Sequence, residues 1–184
     1  MYGLINRAIQ EMVLSTYDAA TWEDIKASAG IDTPEFLAME EYPDQMTFAL
    51  VEAASRRLNA SPADLFEAFG QYWVRYTGRE DYGYLLRMAG SDLVSFLQNL
   101  DLLHARIARS YPALRPPSFE CTNLEPGSLL LHYRSDRAGL SPLVVGLVKG
   151  LGAMFHTDVR IEQVQEKAKG ADHDVFRVEY EPHD

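Results

Sequence analysis

Residues 128–155 read SLLLHYRSDRAGLSPLVVGLVKGLGAMF, and the change of period inside this stretch decides the fold. From Ser128 to Ser135 the pattern is β-like, whereas Leu143, Leu147 and Leu151 recur every fourth residue from Ser141 to Phe155, as in a helix. A strand period of two puts Tyr133, Ser135 and Arg137 on one face, with His132 and Arg134 on the other. Just upstream, Phe119 to Asn123 is a second β-like run, joined to the first by the turn Leu124-Glu125-Pro126-Gly127. Downstream, about 158–166 and 174–181 predict two further strands around a Lys-Gly-Ala-Asp-His turn. Val175, Arg177 and Glu179 alternate there with Phe176, Val178 and Tyr180.

Before Pro112 the chain reads as helix after helix. Residues 3–17 place Leu4, Ile5, Ala8, Ile9, Met12 and Val13 at helical spacing. A short helix opens at Thr21 and closes at Gly30, residues 32–42 are loop-like, and a third helix carries Met46 to Leu58. Ser61-Pro62-Ala63-Asp64 is a start signal, with Ser61 as the cap and Pro62 where no amide donor is needed. The aromatic helix behind it runs to about Thr77, a short one covers about 81–89, and a longer one about 92–110. The sum is α+β in one domain over residues 1–184. An N-terminal helical subdomain of about 1–60 packs on the remainder, about 61–184, which holds the small antiparallel sheet and its helices.

Bulk properties narrow the function. The length of 184 residues suffices for one sizeable core, and 47% hydrophobic with 24% charged residues suits a folded globular domain. A formal charge of −10 argues against a nucleic-acid footprint. No apolar run reaches the roughly 18 residues of a membrane span. The start MYGLINRAIQEMV lacks the features of a signal peptide, and Cys121 alone makes no disulfide framework, so a cytoplasmic location is expected.

The residues that could carry chemistry are few. His104 lies beside the helical stripe Phe96, Leu97, Leu100, Leu103 and Ile107. Taken alone, such a histidine is more often a core residue satisfied by one hydrogen bond than a metal ligand. On an isolated strand Tyr133, Ser135 and Arg137 read more readily as a solvated polar face. Their place just before an apolar helix favours two hydroxyls and a guanidinium fork for carboxylates. The pair Pro116-Pro117 between them is a rigid connection, or a surface pressed against a flat ligand. Trp73 and its aromatic neighbours suit a core, with one N–H donor to spare. His156, His173 and His183 lack metal-ligand spacing, and Cys121 reads as a small buried hydrophobe. In order along the chain, one soft-metal ligand, a rigid turn and a set of carboxylate donors are the parts that hold a haem by iron and propionates. No nucleophile elbow, phosphate loop, H-E-x-x-H or EF-hand loop is present.

The run His104-Ala-Arg, then Arg115-Pro-Pro-x-Phe-Glu-Cys121, then His132-Tyr-Arg-Ser-Asp-Arg137-Ala-Gly-Leu140 resembles the H-NOX haem-binding domains of bacterial nitric-oxide sensors. These are relatives of the sensor domain of soluble guanylate cyclase. The likeness spans the whole chain, from Met1-Tyr-Gly-Leu-Ile-Asn through Phe69-Gly-x-Tyr-Trp73 and Gly146-Leu-Val-Lys-Gly150 to the final strand. It implies haem b between the two subdomains, His104 as the iron ligand, Tyr133, Ser135 and Arg137 as the propionate grip, and Pro117 as the residue that bends the porphyrin. The distal tyrosine of the oxygen-binding members is matched by Leu143, and Ile5, Ile9, Leu143 and Leu147 form an apolar wall near Trp73.

That wall implies a sensor for NO, with CO as a weaker ligand and O2 excluded, and not an enzyme. The chain stops soon after Tyr180, so the resemblance implies a signal passed in trans to a histidine kinase or a cyclic-di-GMP enzyme. The alternatives are a haem enzyme with peroxidase-like or NO-consuming activity, and a haem-free binding or scaffold domain.

Overall fold

The computed structural model describes residues 1–79, 83–111 and 114–183. Seven α-helices and four strands lie among them. α1 (Gly3–Thr16), α2 (Ala19–Ser28), α3 (Asp44–Leu58), α4 (Pro62–Arg79), α5 (Gly83–Ala89) and α6 (Leu93–Ser110) precede β1 (Ser118–Glu125) and β2 (Ser128–Arg134). α7 (Ser141–Met154), β3 (Thr157–Gln165), a single 3-10 turn (Lys167–Lys169) and β4 (Asp174–Pro182) complete the chain. The fold is α+β, as the period change at residues 128–155 predicts. The expected first turn of the short helix, 81–82, and the break at Pro112 lie outside the described residues.

Helix starts follow local chemistry. The Asp18 carboxylate accepts from the Thr21 amide at 2.7 Å, so α2 opens at Ala19, two residues before its predicted start. At α4 the Ser61 hydroxyl accepts from the Asp64 amide at 3.1 Å while the Asp64 carboxylate accepts from the Ser61 amide at 3.3 Å. Asp92 and Ser95 make the same reciprocal bonds at the head of α6. Asn59, at φ 52°, ends α3 in the left-handed conformation.

The strands form one antiparallel sheet in the order β1-β2-β4-β3. The face built from Phe119, Leu129, Leu131, Tyr133, Phe176 and Val178 is buried, and it packs with Val144, Val148 and Leu151 of α7 and with Leu93, Phe96, Leu97 and Leu103 of α6. Full burial of a side chain such as Phe176 contributes about 1.5–3 kcal/mol. A separate apolar cluster joins α1, α2 and α3 to Phe66, Phe69 and Tyr76 of α4 and to Leu140. α4 therefore serves both clusters, because Val74 belongs to the first.

Glycines bring α4 and α7 together. A Cβ on Gly146 would overlap the Glu67 carbonyl, and one on Gly70 would overlap the backbone at Leu143 and Leu147. This close crossing fixes the height of Leu143 and Leu147 relative to Trp73.

Two expectations at the β2 end need correction. β2 stops at Arg134, so Ser135 and Arg137 do not share a strand face with Tyr133. They lie in the irregular segment leading to α7, where the chain turns at Gly139 with φ 78°. A period of two cannot be carried past the last ladder pair, Ser118 with Arg134.

Candidate haem site

His104 sits one turn beyond Asp101 on α6, and both side chains hold the segment that leaves Pro117. The Asp101 carboxylate accepts from the Phe119 amide at 2.6 Å and from the Ser118 hydroxyl at 2.8 Å. His104 Nδ1 donates to the Pro117 carbonyl at 3.2 Å. The carbonyl can only accept, so the proton of a neutral ring is on Nδ1 and the lone pair is on Nε2. Burial pushes the His104 pKa down, against the opposing pull of the Pro117 carbonyl and the Asp101 charge. The imidazole is thus held neutral with Nε2 bare, the state a metal ligand requires.

Ring contacts join His104 to the β2 end. Its centroid is 6.0 Å from Phe119, and Phe119 is 5.3 Å from Tyr133. Tyr133 is buried; desolvation raises its pKa, and a hydrogen bond with Ser135 offsets part of the rise. The Ser135 hydroxyl oxygen also accepts from the Arg137 amide at 3.1 Å. The structure therefore groups Tyr133, Ser135 and Arg137 through a turn and not through strand parity.

Arg137 is partly committed. Its Nε donates to Asp44 Oδ2 at 2.7 Å and its Nη1 to the Arg115 carbonyl at 2.8 Å. Asp44, the first residue of α3, also receives the Met1 ammonium at 2.5 Å. Burial works against the Asp44 charge, but these two partners outweigh it and hold the carboxyl below its ordinary range. Ser135 and Arg137 open on a polar cavity of about 330 Å³, which Arg115, Arg134 and Lys167 also line. Four cationic side chains meet there on a chain of net charge −10, against Asp136 and Asp172. The donor set suits carboxylates.

On the other side, Ile5, Ile9, Trp73 and Leu143 pack in the cluster of the N-terminal helices, Ile9 buried and the other three half-buried. Trp73 stands 6.0 Å from both Phe69 and Tyr76. Leu147, grouped with that wall on sequence, instead packs with the sheet-side cluster that holds Leu103. Asp101, Asp44 and the Pro117 carbonyl escaped the sequence reading. Only Asp101 left a signal, its spacing of three from His104 on one helix face. His156 and His183 remain apart from the site, His183 pairing with Asp158 at 2.9 Å.

A haem fits these residues: a neutral imidazole with a free Nε2, a polar mouth rich in cations, and an apolar wall from a separate cluster. The family described as haem-NO-binding matches residues 2–163. The soluble guanylate cyclase gcy-32 of Caenorhabditis elegans is 33% identical over 165 residues, covering 88% of this chain and 24% of its own. The rat guanylate cyclase soluble subunit beta-2 is 35% identical over 126 residues, 65% of this chain and 18% of its own. This chain spans about a quarter or less of the length of these cyclases. Among solved structures, an H-NOX protein from S. oneidensis in the Fe(II)NO state superposes with a TM-score of 0.88 at 21% identity, covering 98% of this chain and 99% of that one. The Fe(II) unliganded H-NOX protein from K. algicida gives 0.84 at 18% identity, over 100% and 98%. On its fold, on the residues around His104 and on this match, the chain belongs to the haem-NO-binding family.

Proposed function

We propose that this chain is a haem-based gas sensor that binds nitric oxide, and CO more weakly, excludes O2, and signals to a separate effector protein. The observation that carries the reading is the bond from His104 Nδ1 to the Pro117 carbonyl, which leaves Nε2 free. Haem b, when bound, would supply a ferrous iron able to take a diatomic gas. His104 would be its iron ligand, Tyr133, Ser135 and Arg137 would hold its propionates, and Pro117 would lie against the macrocycle.

Ile5, Ile9, Leu143 and Trp73 form the wall that faces the gas. O2 gains from a nearby hydrogen-bond donor, and Leu143 offers none. One such bond contributes about 0.5–1.5 kcal/mol, somewhat more to a charged acceptor, and each 1.4 kcal/mol is tenfold in affinity. Its absence therefore handicaps O2 by roughly tenfold or more.

The Asp44–Arg137 bond joins α3 to the propionate grip across 93 residues of sequence. It gives the N-terminal helices, about 1–60, a direct tie to the remainder, 61–184, and hence a route by which gas binding is felt at the surface. A histidine kinase or a cyclic-di-GMP enzyme in trans is the effector this reading favours, in the cytoplasm. No helix among the described residues is long and apolar enough to cross a membrane. The test is the absorption spectrum of the reduced protein under argon, air, CO and NO. The expected result is a Soret band that shifts with NO and CO and is unchanged by air. A stable shift in air, or no Soret band after expression with adequate haem, would overturn the reading.

A further inference from the structure

The outer face of the sheet, away from α6 and α7, carries a chain of hydrogen bonds that the haem site does not use. Thr122 Oγ1 on β1 lies 2.8 Å from His132 Nε2, His132 Nδ1 lies 2.8 Å from His173 Nε2, and His173 Nδ1 lies 2.9 Å from Asp172 Oδ2. The carboxylate at one end only accepts, so it sets the direction of every link. His173 donates to Asp172 from Nδ1 and keeps Nε2 bare. His132 donates to that bare nitrogen from Nδ1, and Thr122 donates to His132 Nε2. Each link then holds one hydrogen with both rings neutral.

One extra proton is accommodated at His132 Nε2, because the Thr122 hydroxyl can turn and accept. A second cannot be. Both nitrogens of the 2.8 Å link would then carry hydrogen, and two imidazolium rings would face each other. Glu120 and Arg134, themselves paired at 3.1 Å, are the other charges near His132, and Lys167 and Arg134 those near Asp172. On β4 the residue opposite His132 is the apolar Val175.

What the link holds is the 166–174 segment. Lys167 Nζ donates to the Ser135 carbonyl at 2.9 Å, and the Lys167 amide donates to Asp174 at 2.8 Å. Asp174 also accepts from Gln163 at 2.8 Å and from Ser141, the first residue of α7, at 3.0 Å. The segment is thus fastened to the sheet by the histidine pair and, by Lys167 and Asp174, to both ends of the stretch that contains Ser135 and Arg137.

We propose that His132 and His173 are positioning residues for the propionate grip: sharing at most one added proton, they pin the 166–174 segment and the Ser135 backbone, and a second proton releases them. The proposal rests on the reading of Tyr133, Ser135 and Arg137 as that grip. Burial, then the neighbouring His173 and Arg134, lower the His132 pKa against the pull of Glu120. A histidine whose folded pKa is depressed contributes stability that is present above its unfolded pKa and is lost as pH falls through the folded value. The second proton must enter beside the first across the 2.8 Å link, so release belongs on the acid side of the first step.

The test is imidazole nitrogen NMR of the haem-loaded chain from about pH 8 to about pH 5, with amide hydrogen exchange and haem transfer to an acceptor protein followed over the same range. The expected result is two separated protonation steps for the pair. Amide protection at residues 166–174 falls in the second step, and haem transfer speeds up several-fold with it. His173→Gln keeps an acceptor for His132 and a donor to Asp172 but takes no proton. It is expected to retain haem at the upper pH and to flatten both profiles. Simultaneous, independent titration of the two rings overturns the proposal, as does a pH step that survives in His173→Gln. So does loss of amide protection in 166–174 without faster haem transfer. A chain that never takes up haem would sink the grip reading instead, while the NMR steps would still report on the pair.

Discussion

His104 Nδ1 and the Pro117 carbonyl oxygen are 3.2 Å apart, which makes the rigid Pro-Pro turn the partner that selects the imidazole tautomer. A side chain that otherwise reads as a core histidine keeps Nε2 free because its one N–H is bonded to a backbone acceptor. Asp101 makes the contact durable by holding Ser118 and Phe119 at the same place on α6.

His104→Gly should therefore lose haem during purification and regain it when free imidazole is added. The Soret-to-protein absorbance ratio measures this. A variant that keeps its full haem content without imidazole would remove His104 from the role of main tether.

Leu143→Tyr places a hydroxyl donor in the apolar wall. The expected outcome is an O2-dependent spectral shift absent from the wild type, with an affinity gain of roughly tenfold or more for one new hydrogen bond. Spectra in air of the reduced variant decide it.

Asp44→Asn should loosen the tie between α3 and Arg137. Asp44 has a depressed folded pKa, so its contribution is present above the unfolded value and is lost as pH falls through the folded one. The pair is about a quarter to a third exposed, at 24% and 32%, and solvent screening limits its worth to about 1 kcal/mol. Thermal unfolding of wild type and variant should differ slightly at neutral pH, and the difference should shrink only as pH falls below the ordinary carboxylate range. A difference that persists undiminished in acid would show that the charge of Asp44 is not what matters.

Burial, and then the Glu120 charge, push the Cys121 thiol up to about 11. The thiolate is the reactive form, and at pH 8 its population is roughly two orders of magnitude below that of a free cysteine. A chromogenic disulfide reagent should thus titrate Cys121 slowly in the native protein and fast after denaturation. Cys121 is half-buried and not the fully buried hydrophobe expected from sequence, and rapid labelling of the folded chain would contradict its raised pKa.

Gly146→Ala puts a methyl group into the Glu67 carbonyl at the α4–α7 crossing. Overpacking of this kind costs about 1–3 kcal/mol or more, which a lowered Tm would report. Gly139→Ala also introduces strain, at φ 78°, but meets no atom, so its cost should be smaller. Equal losses would mean that the crossing is looser than the backbone suggests.

Much of the molecule was legible without coordinates, because the signals are local. The four-residue spacing of Leu143, Leu147 and Leu151, the Ser61-Pro62 cap and the alternation from Val175 to Tyr180 each act within one element. Misplaced boundaries have local causes too: Asp18, not Thr21, caps α2, and the last ladder pair ends β2 before Ser135. The candidate residues His104, Tyr133, Ser135 and Arg137 could be named because their order along the chain matches the parts of a haem site.

The chain's own letters thus determined the helices, the strands and which side chains are candidates for the site. Tertiary packing alone decided how those side chains are committed: His104 to Pro117 across 13 residues, His132 to His173 across 41, and Arg137 to Asp44 across 93. The physical reason is that periodicity and capping arise from neighbours a few residues apart. A hydrogen bond between distant elements depends on where whole helices and strands come to rest against one another. The proton position on His104 is set by such a bond.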